Sequence, residues 1–176
     1  MGGKAGKAQM RLFCAILFDE PFKDALSRTS SALKKMGCEG RFTPRANFHL
    51  TLAFIGESSD IAAAQRAVDS CAAAFPAFEL KLGGLGSFGD ILWQGAEGEH
   101  LIPLGDAMAK ELRSMGFAIE KRAFRPHITL VRRFRQKGTL PSPCRSQMTV
   151  RAISLMRSDQ SGAGMKYTEI YRKELR

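Results

Sequence analysis

The tetrapeptide pattern His-x-Thr-Leu occurs twice, once from His49 to Leu52 and once from His127 to Leu130, 78 positions apart (127 − 49). Each copy ends in an apolar, β-type run, residues 48–55 and 128–134. Side chains two apart on a strand share a face. His49 and Thr51 therefore project together, as do His127 and Thr129, while Leu50, Leu52, Ile128 and Leu130 turn to the core. A duplicated strand of this kind restricts the fold more than any other feature of the chain. It calls for two related halves, and a two-fold relation between them would bring both His/Thr pairs to one cleft.

The rest of the chain supplies elements for such halves. Residues 10–18 read as a first strand, and Pro21 opens a helix to about Lys35, with Phe22, Ala25, Leu26, Leu33 and Met36 at helical spacing and Gly37 as its stop. The second strand, 48–55, ends at Gly56. The Ser58-Ser59-Asp60 segment caps an alanine-rich helix that reaches about Ala74 before Pro76. Residues 78–85 and 91–94 read as strands joined by a glycine-rich connection over 83–89. A helix over 99–115 follows, then strands over 118–121 and 128–134, a loop over 138–143, and closing strands over 149–156 and 167–171 around Gly162 and Gly164. Strands and helices mix without regular βαβ alternation, so the expected class is α+β with antiparallel sheets. Residues 1–8 read as a flexible tail and 9–176 as a single domain, since no linker interrupts them.

Charge narrows the partners. The chain carries 27 Lys and Arg against 17 Asp and Glu, a formal charge of +10, which favours a polyanionic partner. Seven of these cations (Lys121, Arg122, Arg125, Arg132, Arg133, Arg135, Lys137) flank the second motif between positions 121 and 137, a stretch with no acidic residue. Hydrophobic residues make up 44% of the chain, enough for a packed core and too many for global disorder. The apolar run 12–18 is far shorter than the roughly 20 residues that span a bilayer. It is followed by Asp19, Glu20 and Pro21 where a signal peptidase would need small residues, and Gly6 stands where a myristoylation signal has Ser or Thr. The expected location is the cytoplasm, with no membrane partner. Cys14, Cys38, Cys71 and Cys144 form no CxxC pair and read as isolated reduced thiols, with Cys38 and Cys144 beside turn residues where exposure is expected.

The duplicated residues suit one chemistry well. Opening a cyclic phosphodiester needs a base for water and an acid for the departing alkoxide. Imidazole titrates near neutrality, so one ring can be neutral while the other is protonated, and each positioned proton transfer supplies about 10²–10⁴-fold in rate. The two threonine hydroxyls can donate to non-bridging phosphate oxygens. With only three histidines and no clustered carboxylates, no metal or other cofactor is expected. His100 has no matching threonine and reads as a surface or capping residue.

In this setting the paired motifs resemble those of the 2H phosphoesterase superfamily. The fuller context resembles its bacterial RNA 2′,3′-cyclic phosphodiesterase branch, also called 2′-5′ RNA ligase. That context comprises Arg11 to Ile16, Asn47 to Glu57 around the first motif, Leu92-Trp93-Gln94-Gly95, and Phe124 to Arg132 around the second. The resemblance, over residues 10–172, implies a bilobal fold: pseudo-two-fold antiparallel sheets flanked by helices around a central cleft. It implies hydrolysis of terminal RNA 2′,3′-cyclic phosphate to a 2′-phosphomonoester, with His49 as proton donor to the 3′-oxygen, His127 as proton acceptor, and Thr51 and Thr129 holding the phosphate. It also implies a cyclic-phosphate RNA end as partner, tRNA fragments among the candidates, and a monomeric enzyme.

Arg132, where the resemblance places a basic residue, and Arg125 are candidates for phosphate contact. Phe42, in a region where relatives carry Trp, and Trp93 are candidates for stacking on a base. Arg132 lies five residues after His127, so strict alternation puts it on the opposite face, and its contact requires a bulge, a strand end or a long reach. Three other readings compete: an esterase acting on small cyclic nucleotides, 2′-5′ ligation, and a non-catalytic RNA-binding module.

Overall fold

The computed structural model describes residues 8–176, so the expected tail lies, Ala8 excepted, outside the described residues. The described residues form nine strands, in two sheets, and three α-helices, every strand pairing among them being antiparallel. The first sheet contains β1 (Met10–Ile16), β3 (Leu50–Ser58), β8 (Ala152–Ser161) and β9 (Gly164–Glu174) in the order β3-β1-β8-β9. The second contains β2 (Glu39–Phe42), β4 (Phe78–Phe88), β5 (Ile91–Glu97), β6 (His127–Arg135) and β7 (Gln147–Val150) in the order β2-β6-β5-β4-β7. Each motif strand lies beside a strand that leads into a helix: β3 pairs with β1 before α1 (Glu20–Lys35), and β6 pairs with β5 before α3 (Leu101–Ser114). The α+β class, the two lobes and their pseudo-two-fold relation are as expected.

Local chemistry accounts for the helices. Asp19 caps α1 by accepting from the Phe22 amide at 2.9 Å, and Asp60 caps α2 (Ile61–Ala74) by accepting from Ala63 at 3.0 Å. Phe22, Ala25, Leu26 and Leu33 are buried on one face of α1, whereas Met36 lies exposed at its C-terminal cap. Gly37, at φ +81°, then ends the helix. The Thr29 hydroxyl of α1 accepts from the Cys144 amide at 2.9 Å and fastens the helix to the segment before β7. Helix α3 packs on α2 and β3, so a helix that follows one sheet covers the other. Leu12, Ile16, Leu50, Leu52, Ile128 and Leu130 belong to one continuous core shared by both halves. No helix among the described residues is long and apolar enough to cross a membrane.

Three local expectations are corrected. The glycine-rich stretch over 83–89 is mostly strand, with the turn confined to Gly89 and Asp90. Its Gly86 lies under the Trp93 indole, where an added Cβ would come within 2.3 Å of the ring. Residues 118–121 form no strand, because Arg113 of α3 donates to the carbonyls of Ile119 and Glu120 at 3.4 and 2.9 Å. The closing strand expected over 149–156 is divided at Arg151 between β7 and β8, which belong to different sheets. Strand β2 was unforeseen; its Gly40 approaches β6 so closely that a Cβ would lie 2.6 Å from Val131 Cγ1 and 2.9 Å from the Arg132 carbonyl oxygen.

Candidate active site

Both motif histidines are held in the same way. His49 Nδ1 lies 2.8 Å from the carbonyl oxygen of Asn47, and His127 Nδ1 lies 2.7 Å from that of Arg125, in each case two residues upstream. A carbonyl only accepts, so each Nδ1 carries a hydrogen and each neutral ring keeps Nε2 as its acceptor. The Thr51 hydroxyl donates to His49 Nε2 at 3.0 Å. Aromatic rings fix both imidazoles: Phe13 and Tyr167 stand 5.0 Å from the His49 centroid, and Phe88 stands 5.0 Å from that of His127. As the period of two requires, the histidines and threonines are partly exposed while the alternating Leu and Ile residues are buried.

A cavity of about 340 Å³ opens between the sheets. It brings together His49 from the approach to β3, Thr129 and Arg132 from β6, Phe42 from β2, and Met165 and Tyr167 from the β8–β9 hairpin. Asn47 joins its walls by donating from Nδ2 to the Met165 carbonyl at 2.8 Å. Thr51 and His127 lie outside this lining.

Arg132 reaches the cavity because β6 is not regular. Thr129 pairs with Trp93 and Val131 with Leu92, so Leu130 is an extra residue, a bulge that reverses the alternation. Leu130 and Val131 are both buried, and Arg132 turns outward on the His127/Thr129 face. Of the other substrate candidates, Phe42 lines the cavity with the Lys34 ammonium 4.7 Å from its ring centroid, and Arg125 lies with its guanidinium 4.7 Å over Phe88, away from the cavity lining. Trp93 packs over Gly86, and its indole N–H is buried without an acceptor. His100 occupies the N-cap position of α3, edge-on to Phe75 and Phe78.

The field at the site is positive. Burial, opposed by the Asn47 carbonyl and reinforced by Arg132 and His127, holds the His49 pKa below its ordinary value of 6.5. Among the described residues, only Arg122 of the seven cations around the second motif has a carboxylate within 4.0 Å, Glu120 at 2.7 Å. No three His, Cys, Asp or Glu side chains converge as a metal site among the described residues. The four thiols are unpaired, and Cys38, expected near the surface, is buried; burial raises its pKa and those of Cys14 and Cys71.

Sequence reasoning missed Tyr167, Asn47 and the glycine that seats the second motif. In α3, Gly105 leaves room for the Phe124 ring, which would stand 2.1 Å from an added Cβ. Phe124 precedes Arg125 and Pro126, so this contact anchors the approach to His127. Tyr167 had no local signal, since it reaches His49 only through the pairing of β9 with β8 and of β8 with β1.

Comparison with known proteins agrees with this geometry. Residues 22–162 match the 2′-5′ RNA ligase superfamily. The chain is 30% identical to a Methanothermobacter thermautotrophicus protein named RNA 2′,3′-cyclic phosphodiesterase, over 92% of this chain and 97% of that protein. An Aeropyrum pernix protein of the same name is 35% identical over 114 residues, 61% of this chain and 65% of that one, so the chain spans just under two thirds of that relative. The crystal structure of E. coli LigT complexed with 3′-AMP superposes with a TM-score of 0.79 at 27% identity, covering 95% of this chain and 98% of that one.

Proposed function

The chain belongs to the 2′-5′ RNA ligase superfamily, and on that premise we propose that it opens RNA 2′,3′-cyclic phosphate ends to 2′-phosphomonoesters, with His49 and His127 as acid and base. The observation that carries this reading is the matched tethering of the two imidazoles. Each Nδ1 is occupied by a carbonyl two residues upstream, so proton transfer falls to each Nε2, that of His49 being shared with the Thr51 hydroxyl at 3.0 Å. The described residues gather no further ligands around either ring, and the pair suits proton transfer.

In the reaction, neutral His127 takes a proton from water as its oxygen bonds to phosphorus. The P–O3′ bond breaks, and the 3′-oxygen takes the proton from His49. The P–O2′ bond survives, which gives the 2′-phosphomonoester. Arg132 and the Thr51 and Thr129 hydroxyls hold the non-bridging oxygens, where preorganised donors are most effective, and Phe42 and Tyr167 enclose the terminal nucleoside.

Acting as an acid requires His49 to be protonated, although its burial and the nearby Arg132 oppose this. A bound phosphate anion offsets the Arg132 charge and favours the imidazolium, so the proton is best held when substrate is present. The names of the curated relatives support RNA over other cyclic phosphates, and the +10 charge suits RNA, tRNA fragments included.

Phosphorus NMR of a cyclic-phosphate oligonucleotide treated with the purified protein and a chelator tests this. A 2′-phosphomonoester as sole product is expected. A 3′-phosphomonoester, or turnover that requires an added divalent metal, would overturn it.

A further inference from the structure

Arg41 of β2 stands directly across from Arg132 of β6 in an antiparallel pair, and side chains opposite one another share a face of the sheet. Both line the cavity with His49. Two irregularities create this alignment. The bulge at Leu130 turns Arg132 to the cavity, and a register shift between Glu39 and Arg41 sets Arg41 beside it. The shift falls where Arg133 adopts φ +53°, a left-handed conformation that residues with side chains disfavour. Gly40 permits the close approach, since a Cβ there would lie 2.6 Å from Val131 Cγ1. Like charges directly opposite on neighbouring strands repel. Among the described residues no carboxylate lies within 4.0 Å of either guanidinium. Two arginines held together in this way, facing one cavity without a counter-ion, have capacity for two phosphate groups.

The two guanidiniums are not equivalent. Arg132 stands between Ile91 of β5 and Arg41, and Arg41 belongs to the edge strand of its sheet. Arg132 contributes to the lowered His49 pKa, whereas Arg41 has no part in it. The charge of Arg41 therefore lies farther from the acid histidine, toward the outer end of the cavity, where Thr43 and Pro44 continue the wall. A cyclic mononucleotide brings one phosphate to such a site. An RNA end brings two: the cyclic phosphate, and the diester that joins the 5′-oxygen of the terminal nucleoside to the preceding residue. We propose that Arg41 binds this upstream diester, so that the cavity selects an RNA end over a free cyclic nucleotide. The proposal rests on the cyclic-phosphate reading above and adds to it the group that tells RNA from smaller substrates. The planar fork of arginine suits a diester, whose two non-bridging oxygens accept its parallel N–H donors. Arg41 takes no part in proton transfer. Its contact is the same before and during the reaction, so it lowers KM and leaves kcat alone.

The test measures kcat and KM on three substrates. One is a dinucleotide ending in a 2′,3′-cyclic phosphate, the second is the same dinucleotide with an uncharged methylphosphonate as its internal linkage, and the third is a 2′,3′-cyclic mononucleotide. The wild type should show a KM about tenfold lower for the charged dinucleotide than for the uncharged one. Arg41→Met should raise the KM of the charged dinucleotide to that of the uncharged one, with no such change for the other two substrates. Arg41→Lys, which keeps the charge without the fork, should retain part of the preference. Arg132→Met should impair all three substrates alike. Equal KM values for the two dinucleotides in the wild type would overturn the proposal without recourse to any variant. So would a preference that survives in Arg41→Met, or an Arg41→Met protein impaired equally on all three substrates. Each of these results leaves the hydrolase reading in place. A wild-type protein that opens none of the three would overturn both.

Discussion

Leu52 and Leu130 are the extra residues of two β-bulges, each directly after the threonine of its motif and separated by the same offset as the two histidines. In β6 the bulge turns Arg132 onto the face of His127 and Thr129, into a cavity shared with His49. A local break in strand regularity thus brings beside His49 a charge that would otherwise face away.

Replacing Arg132 with Met separates its two effects. Loss of a charged hydrogen bond to phosphate, worth about 1.5–3 kcal/mol, should lower kcat/KM by roughly 10–100-fold. Burial remains the chief reason for the low His49 pKa, but Arg132 adds to it, so its removal should move the His49 titration upward. Following the imidazole protons by NMR across pH checks the second effect. An unchanged or lower His49 titration in Arg132→Met would show that the guanidinium does not act on the ring.

The same depressed pKa gives stability a pH dependence. In the unfolded chain His49 titrates at its ordinary value of 6.5 and in the folded chain lower. Between those values the unfolded state binds the proton that the folded state refuses. The stabilisation is complete above 6.5 and is lost as pH falls through the folded value. Urea unfolding at a series of pH values should show the wild type weakening on acidification in this window more steeply than His49→Gln. Parallel slopes for the two proteins would assign the dependence to other groups.

Much of this was legible in the sequence because it depends on local repetition. Two His-x-Thr-Leu strands determine which residues face the cleft, and Asp19, Asp60 and Gly37 mark helix ends through short-range chemistry. What was not legible depends on contacts distant in sequence. Glu39 to Phe42 lacks apolar alternation and becomes β2 because Gly40 fits against β6. The glycines of β4 look like a loop until the Trp93 ring is seen over Gly86. A bulge at Leu130 is marked by no glycine or proline; the charge of Arg132 was apparent, but its direction was not.

Gly105 tests how the second motif is seated. Alanine favours a helix interior by about 1 kcal/mol over glycine, yet a Cβ here would stand 2.1 Å from Phe124. Gly105→Ala should displace Phe124, loosen the approach to His127, lower kcat by about tenfold or more, and reduce the unfolding free energy. A protein more stable than wild type with full kcat would show that Phe124 does not position His127.

Whether both motif histidines transfer protons is tested most directly by single-turnover hydrolysis of a cyclic-phosphate oligonucleotide by His49→Ala and His127→Ala, with circular dichroism as the control for folding. Each folded variant should be slower than wild type by at least about 10²-fold. Near-wild-type turnover by either folded variant would contradict the account.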